Sequence, residues 1–141
     1  GGLDAYLAAK LPGVDDNVQT AILEGHYGEL PVGGAVIVRT GVKEWPLLVA
    51  APTMRIPEPV QHTYNAYYAF RAVLLEVAKW NASDGVPQIK SIRCPGLATG
   101  LGQMSPNQCA AQMKEAWDVA TSPARRLRPT EIHQATRRMK P

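Results

Sequence analysis

The sequence predicts an α/β fold, and three observations carry that prediction. Two short β-prone runs, Gly34–Thr40 and Leu47–Ala51, stand close together in the chain. A long amphipathic segment, Tyr64–Trp80, separates the second of them from a further strand-like run, Ile89–Cys94. A capped helix start follows at Ser105-Pro106. Strands alternating with helical segments are the sequence signature of α/β organisation.

In chain order, Leu3–Lys10 reads as a short helix, with Leu3, Tyr6, Leu7 and Lys10 spaced for one face. Pro12-Gly13 interrupts it. A second helix is expected from near Asp16, where Asp16 and Gln19 stand at capping-box spacing, with Val18, Ile22 and Gly25 along its inner side and an end at Gly25–Gly28. Gly34–Thr40 is β-branched and bounded by glycines, hence a strand. Leu47–Ala51 is a continuous apolar run closed by Pro52, the pattern of a strand buried on both faces. Their short connection makes them an antiparallel hairpin at a sheet edge. In Tyr64–Trp80 the residues Tyr67, Phe70, Leu74 and Val77 repeat at three- and four-residue steps, giving the longest helix. Asn81–Pro87 is a loop, and Ile89–Cys94 is a third strand ended by Pro95-Gly96. With Leu47–Ala51 and the long helix it completes a right-handed βαβ unit whose two strands run parallel. Ser105 caps the next helix, with Pro106 at its first position and Gln108 at capping-box spacing. That helix runs to about Ala120 and buries Cys109, Met113 and Trp117 or their neighbours. Beyond Pro123 and Pro129, Thr130–Lys140 has the pattern of a short helix capped by Thr130, with a thin stripe of Ile132, Ala135, Thr136 and Met139.

At 141 residues, 45% hydrophobic and 19% charged, the composition fits one soluble globular domain over residues 1–121 with an extension over 122–141. No apolar run approaches the ~20 residues that span a bilayer. The opening Gly1-Gly2-Leu3-Asp4 has neither a signal-peptide pattern nor an initiator Met, which points to processing or to a fragment. Cys94 and Cys109, the two cysteines, lack metal-ligand spacing and read as reduced thiols, which places the protein in the cytoplasm. No cofactor motif is present. The net charge of +3 is unevenly spread: six basic residues against one acid give +5 over residues 122–141 and leave −2 for residues 1–121. The basic tail is a candidate nucleic-acid contact through Arg125, Arg126, Arg128, Arg137 and Arg138, although no aromatic residue is interleaved for base stacking. A solvated tail or a subunit contact is the plainer reading.

The chemically suggestive segment is Pro95-Gly96-Leu97-Ala98-Thr99-Gly100-Leu101-Gly102-Gln103-Met104, which leaves a predicted strand and feeds a helix N-terminus. Glycines there let backbone N–H groups approach an anion, and the helix dipole favours negative charge. The segment is neither a Walker loop nor a dinucleotide fingerprint, because the required residues and spacings are missing. A tight strand-to-helix turn is the alternative.

The order Gly1-Gly2-Leu3-Asp4, Leu30-Pro31-Val32-Gly33-Gly34-Ala35, Ala50-Ala51-Pro52-Thr53-Met54, Asn65-Ala66-Tyr67 and Pro95–Met104 with Ser105-Pro106 resembles the macro-domain family, in its bacterial and phage-type branch. The resemblance covers about residues 1–120. It implies a three-layer α/β/α fold with a reduced, mixed sheet, because the family's first strand, helix and second strand have no counterpart here. It also implies binding of ADP-ribose or a related nucleotide diphosphate, with ADP-ribosyl hydrolysis as the family's reaction. By that resemblance Gly1, Gly2 and Asp4 close the first ligand loop, with Asp4 beside the ribose and orienting a water if hydrolysis occurs. Gly96, Thr99, Gly100, Leu101 and Gly102 form the second loop, whose amides hold the pyrophosphate, and Pro52 and Thr53 wall the site. The absent central strand leaves buried edges, each unpaired group costing about 1–3 kcal/mol, so a two-fold homodimer is expected. An oligomeric scaffold that has lost full ligand binding is the competing expectation.

The remaining polar residues read as structural. His26, His62 and His133 have no ligand spacing. Ser105 lacks a nucleophile-elbow context and is a cap. Tyr64, Tyr67 and Tyr68 belong to a core or interface. Arg93 either reaches an anion in the glycine loop or points away from it, into the gap of the absent strand or to solvent.

Overall fold

The two β-prone runs meet as an antiparallel hairpin. In the computed structural model, which describes residues 3–123 and 127–140, the order is α1 (Leu3–Lys10), α2 (Val14–His26), β1 (Val36–Arg39), β2 (Leu47–Ala50), α3 (Asn65–Ala82), α4 (Pro106–Thr121) and α5 (Ile132–Met139), with a 3-10 turn at Pro129–Glu131 before the last helix. Val36 pairs with Ala50 and Arg39 with Leu47. Strand alternation then sorts the hairpin's side chains. Val38 and Leu48 face α1 and α2, packing with Leu7, Leu11, Val14, Val18 and Ala21. Val49 and Ala51 face the other way, onto Tyr67, Phe70 and Val73 of α3. The hairpin therefore lies between helices on its two faces, a mixed α/β arrangement.

Three expectations about the sheet are corrected. Among the described residues the sheet has two strands, and Ile89–Cys94 is not one of them. No parallel βαβ unit forms. The reason lies in the run itself: Lys90, Ser91 and Arg93 leave neither alternate face apolar, so pairing would bury too little to offset the ordering of the chain. Instead the side chain of Asn81 pins the run at its start, its amide donating to the Ile89 carbonyl at 2.9 Å and its oxygen accepting from the Ile89 N–H at 2.7 Å. Leu47–Ala50 is also half-buried throughout rather than buried on both faces.

The helices follow the periodicity with local differences. α2 starts at Val14, two residues before the expected Asp16, behind Gly13 at φ 77°, and no side-chain cap forms there. That positive φ suits glycine and lets the chain turn sharply out of α1. α4 has the predicted cap, the Ser105 hydroxyl accepting from the Gln108 N–H at 3.2 Å, with Pro106 opening the helix. Of Trp117 and its neighbours, Glu115 and Ala116 take the inner positions and Trp117 is 51% exposed. The last helix is not capped by Thr130; the Glu131 carboxylate instead accepts from the Arg128 N–H at 2.8 Å.

α5 docks on the body. Its Ala135 and Met139 are buried, and Met139 joins the cluster of Tyr67, Phe70, Val73 and Ala116. Arg138 binds Glu115 in two-pronged fashion, at 2.9 and 2.6 Å, and Glu115 is only 4% exposed. Removing the guanidinium would strand a buried carboxylate, although solvent reaching Arg138 softens the loss. Arg138→Ala is expected to destabilise the protein by about 1–2 kcal/mol, read by urea denaturation, and a double cycle with Glu115→Gln isolates the coupling. A coupling near zero would show that Met139 and Ala135 alone hold the helix.

Candidate functional site

The glycine-rich turn packs where α3 and α4 begin. Ala98 and Met104 are buried with Val60, Ala66 and Cys109, and Met54 and Leu97 pack against that group. Met54, after β2, and Leu97 and Ala98 of the turn thus share one cluster. Pro52 and Thr53 are half-buried, and the Thr53 carbonyl accepts from the Asn65 side-chain amide at 2.8 Å.

Within the turn, much of the backbone is spoken for. The Met104 N–H donates to the Ala98 carbonyl at 3.0 Å and the Gln103 N–H to the Gly100 carbonyl at 3.0 Å. The Gly102 carbonyl accepts from the Val60 N–H at 2.8 Å. A Cβ at Gly102 would lie 2.6 Å from the Ala98 carbonyl oxygen and 2.8 Å from Val60, so glycine is required there for packing. Ala98 and Gln103 hold φ of 60° and 56°, the left-handed region that favours glycine. The Thr99 hydroxyl donates to the Gly96 carbonyl at 2.9 Å and pulls the first half of the turn closed. Gly100 and Leu101 form the exposed tip; a Cβ at Gly100 meets nothing within 4 Å, and Leu101 is 64% exposed.

Beneath the turn lies a polar network that the sequence reading missed. Gln112, which is 0% exposed, accepts from the Tyr67 N–H at 3.1 Å and donates to the Thr63 carbonyl at 2.7 Å. The Thr63 hydroxyl in turn accepts from the Asn65 N–H at 3.2 Å. Orphan amides of the first turn of α3 are therefore satisfied by Thr63 and by a glutamine from another helix. The available signal was Gln108 and Gln112, four residues apart on the same face of α4 as the buried Cys109 and Ala116.

No protein-family model, curated protein or solved structure matches the chain.

The other predicted residues fall elsewhere. Asp4 is exposed in the first turn of α1, a helix with no buried residue that reaches the body through Leu7, on the α2 side of the hairpin. The turn belongs to the α3 side. Gly1, Gly2, Arg125 and Arg126 lie outside the described residues. Arg128 and Arg137 are exposed, whereas Arg138 is engaged with Glu115. Arg93 does not reach the turn as an anion ligand; its guanidinium stacks over the Trp45 ring at 4.8 Å. Tyr67 is buried and Tyr68 is 49% exposed. Among the described residues no three His, Cys, Asp or Glu side chains gather to hold a metal ion, and no helix is long and apolar enough to cross a membrane.

The two thiols flank the turn and are unreactive in kind. Cys109 is buried and its Sγ lies 3.5 Å from the Met113 sulfur. Cys94 presents surface to solvent yet is crowded on its inner side, and desolvation pushes its thiol up to about 11, with a smaller push from Cys109. A raised thiol pKa means stability is fully present below the unfolded-state value and declines as pH rises through the folded one. Both cysteines should therefore resist iodoacetamide at pH 7.5 in the folded protein and react at the ordinary rate in urea, followed by mass spectrometry. Rapid alkylation of Cys94 at neutral pH would contradict its desolvation.

Proposed function

We propose that the protein binds the diphosphate group of ADP-ribose or a related nucleotide at the exposed tip of the turn, Thr99–Gly102, against the wall formed by Pro52 and Thr53. The observation that carries this reading is the shared packing of Met54, Leu97, Ala98 and Met104, which sets the two segments side by side at the start of α4. Backbone N–H groups at a glycine-rich tip near a helix N-terminus suit an anion. On this reading the chain is macro-like, and the placing of the hairpin between α2 and α3 is the part of that layering it carries. The hydrolytic step that the resemblance gives to Asp4 is not included, because Asp4 stands on the opposite side of the hairpin.

Calorimetric titration with ADP-ribose tests the proposal. Binding is expected in the protein and in Gly100→Ala, and a loss of about tenfold or more in Gly100→Asp, where a carboxylate meets the diphosphate in open space. Neither heat nor a thermal shift at millimolar ligand would end it.

A second reading, a non-catalytic scaffold, is favoured by the internal satisfaction of the turn, in which Gly102 serves packing and Ser105 already caps α4. Light scattering decides its oligomeric part: a two-fold dimer that ignores ADP-ribose supports the scaffold, and a monomer that binds it supports the first reading.

A further inference from the structure

A cavity lies towards the other end of α3, at the free edge of the hairpin. Antiparallel pairing alternates residues that bond to the partner strand with residues whose N–H and C=O point away from it. The Thr40 N–H donates to the Pro46 carbonyl at 3.1 Å, which makes residues 40, 38 and 36 the inward-bonding set. Ile37 and Arg39 therefore turn their backbone groups outward. An independent contact agrees: the Arg39 carbonyl accepts from the Asn17 side-chain amide of α2 at 3.0 Å.

The outward groups of Ile37 face a cavity of about 400 Å³ between α2 and α3. Its α2 wall is made of Ala21 and Gly25 with His26 at the helix end, and its α3 wall of Ala72 and Leu75. A Cβ built at Gly25 would meet nothing within 4 Å, so the space beside it is open. The volume falls within the ordinary range of small-molecule sites.

The length of the open edge decides between occupants. Asn17 closes it at Arg39, and the turn bond from the Gly34 N–H to the Pro31 carbonyl, 2.9 Å, closes the other end. Residues 35–37 remain, a span of about 7 Å at the usual strand rise. That is too short for a docked strand of several paired residues. It matches a single flat ring lying in the plane of the sheet, its edge on Ile37 and its faces against the two helix walls. Of the lining's charged side chains, the Lys79 ammonium and Glu76 carboxylate stand 3.4 Å apart and offset each other, and with a neutral His26 beside them the cavity favours no net charge on its occupant.

We infer that this cavity binds an uncharged, planar nitrogen heterocycle carrying a hydrogen-bond donor beside an acceptor, read by the C=O and N–H of Ile37. The site is separate from the Thr99–Gly102 turn and does not rest on the function proposed there.

Adenine and 6-dimethylaminopurine, which keeps the ring but loses the exocyclic donor, are the probes. In a ¹⁵N NMR titration, adenine is expected to shift the Ile37 amide and those of Gly33–Val36 saturably at millimolar concentration, while 6-dimethylaminopurine leaves Ile37 unmoved. Gly25→Leu fills the space from a helical position without a positive φ, so it folds, and it weakens the adenine response by about tenfold or more. ADP-ribose bound at the turn would instead move Gly100 and Leu101, which keeps the two sites distinguishable. The inference is overturned if adenine leaves Ile37 unmoved, if both purines move it alike, or if Gly25→Leu responds as the parent protein does.

Discussion

Gln112→Leu is expected to destabilise the protein by about 3 kcal/mol, lowering Tm by roughly 10 °C, although it exchanges a polar side chain for an apolar one of similar size in the core. The side chain is 0% exposed and serves two backbone groups at once, the Tyr67 N–H and the Thr63 carbonyl. Leucine leaves both without their partner. Each buried group then bears a desolvation cost of about 1–3 kcal/mol, partly offset by the apolar burial gained. Gln108, whose amide is 3.5 Å from the Thr63 carbonyl, is too distant to replace it fully. The measurement is urea unfolding followed by circular dichroism. A loss under 1 kcal/mol would mean that water enters and takes over both bonds. Because the network fixes the start of α3, where Ala66 packs against the turn's Ala98 and Met104, the proposed ADP-ribose binding predicts that the same variant also weakens it.

Gly102→Ala is expected to cost about 2 kcal/mol, while Gly100→Ala, two residues away, changes stability by no more than about 0.5 kcal/mol. The contrast follows from space alone. A Cβ at Gly102 meets the Ala98 carbonyl oxygen and Val60 inside normal contact, one of them backbone, so the turn must open or lift from Val60. At Gly100 nothing lies within 4 Å. Thermal melts of the two variants side by side provide the test. Equal melting of the two would mean that the turn is loose enough to shift, and the packing account of Gly102 would be lost. The pair also separates roles: Gly102 shapes the turn, and Gly100 is the position where, on the proposed function, a ligand's charge would be felt.

Much of the secondary structure was legible in the sequence because it is encoded locally. The 3.6-residue stripe of Tyr67, Phe70, Leu74 and Val77 specifies α3 wherever it packs. Ser105-Pro106 announces the start of α4 through groups within four residues of one another. The β-branched run and the apolar run pair as the expected antiparallel hairpin. The reading went wrong at Ile89–Cys94, where bounding turn residues suggested a strand and the polar Lys90, Ser91 and Arg93 argued against it. Composition there was the better guide, since a strand needs a buried face and a neighbour, and the second is not a local property. Of the candidate site, a place for Pro52 and Thr53 beside the turn was anticipated by the resemblance alone, and of that segment Met54 packs there. The placement of Asp4 on the far side of the hairpin was not.

The sequence by itself determined the helices, the hairpin and the glycine turn, because periodicity, capping and backbone freedom act over a few residues. Only the tertiary structure decided how the first turn of α3 is capped, by a glutamine 45 residues away, and that the basic tail lies down on α4 through Arg138 and Glu115. It also decided which edge of the hairpin faces open space. These are matters of burial: a polar group removed from water must find its partner wherever the fold brings one, and chain order holds no record of that distance.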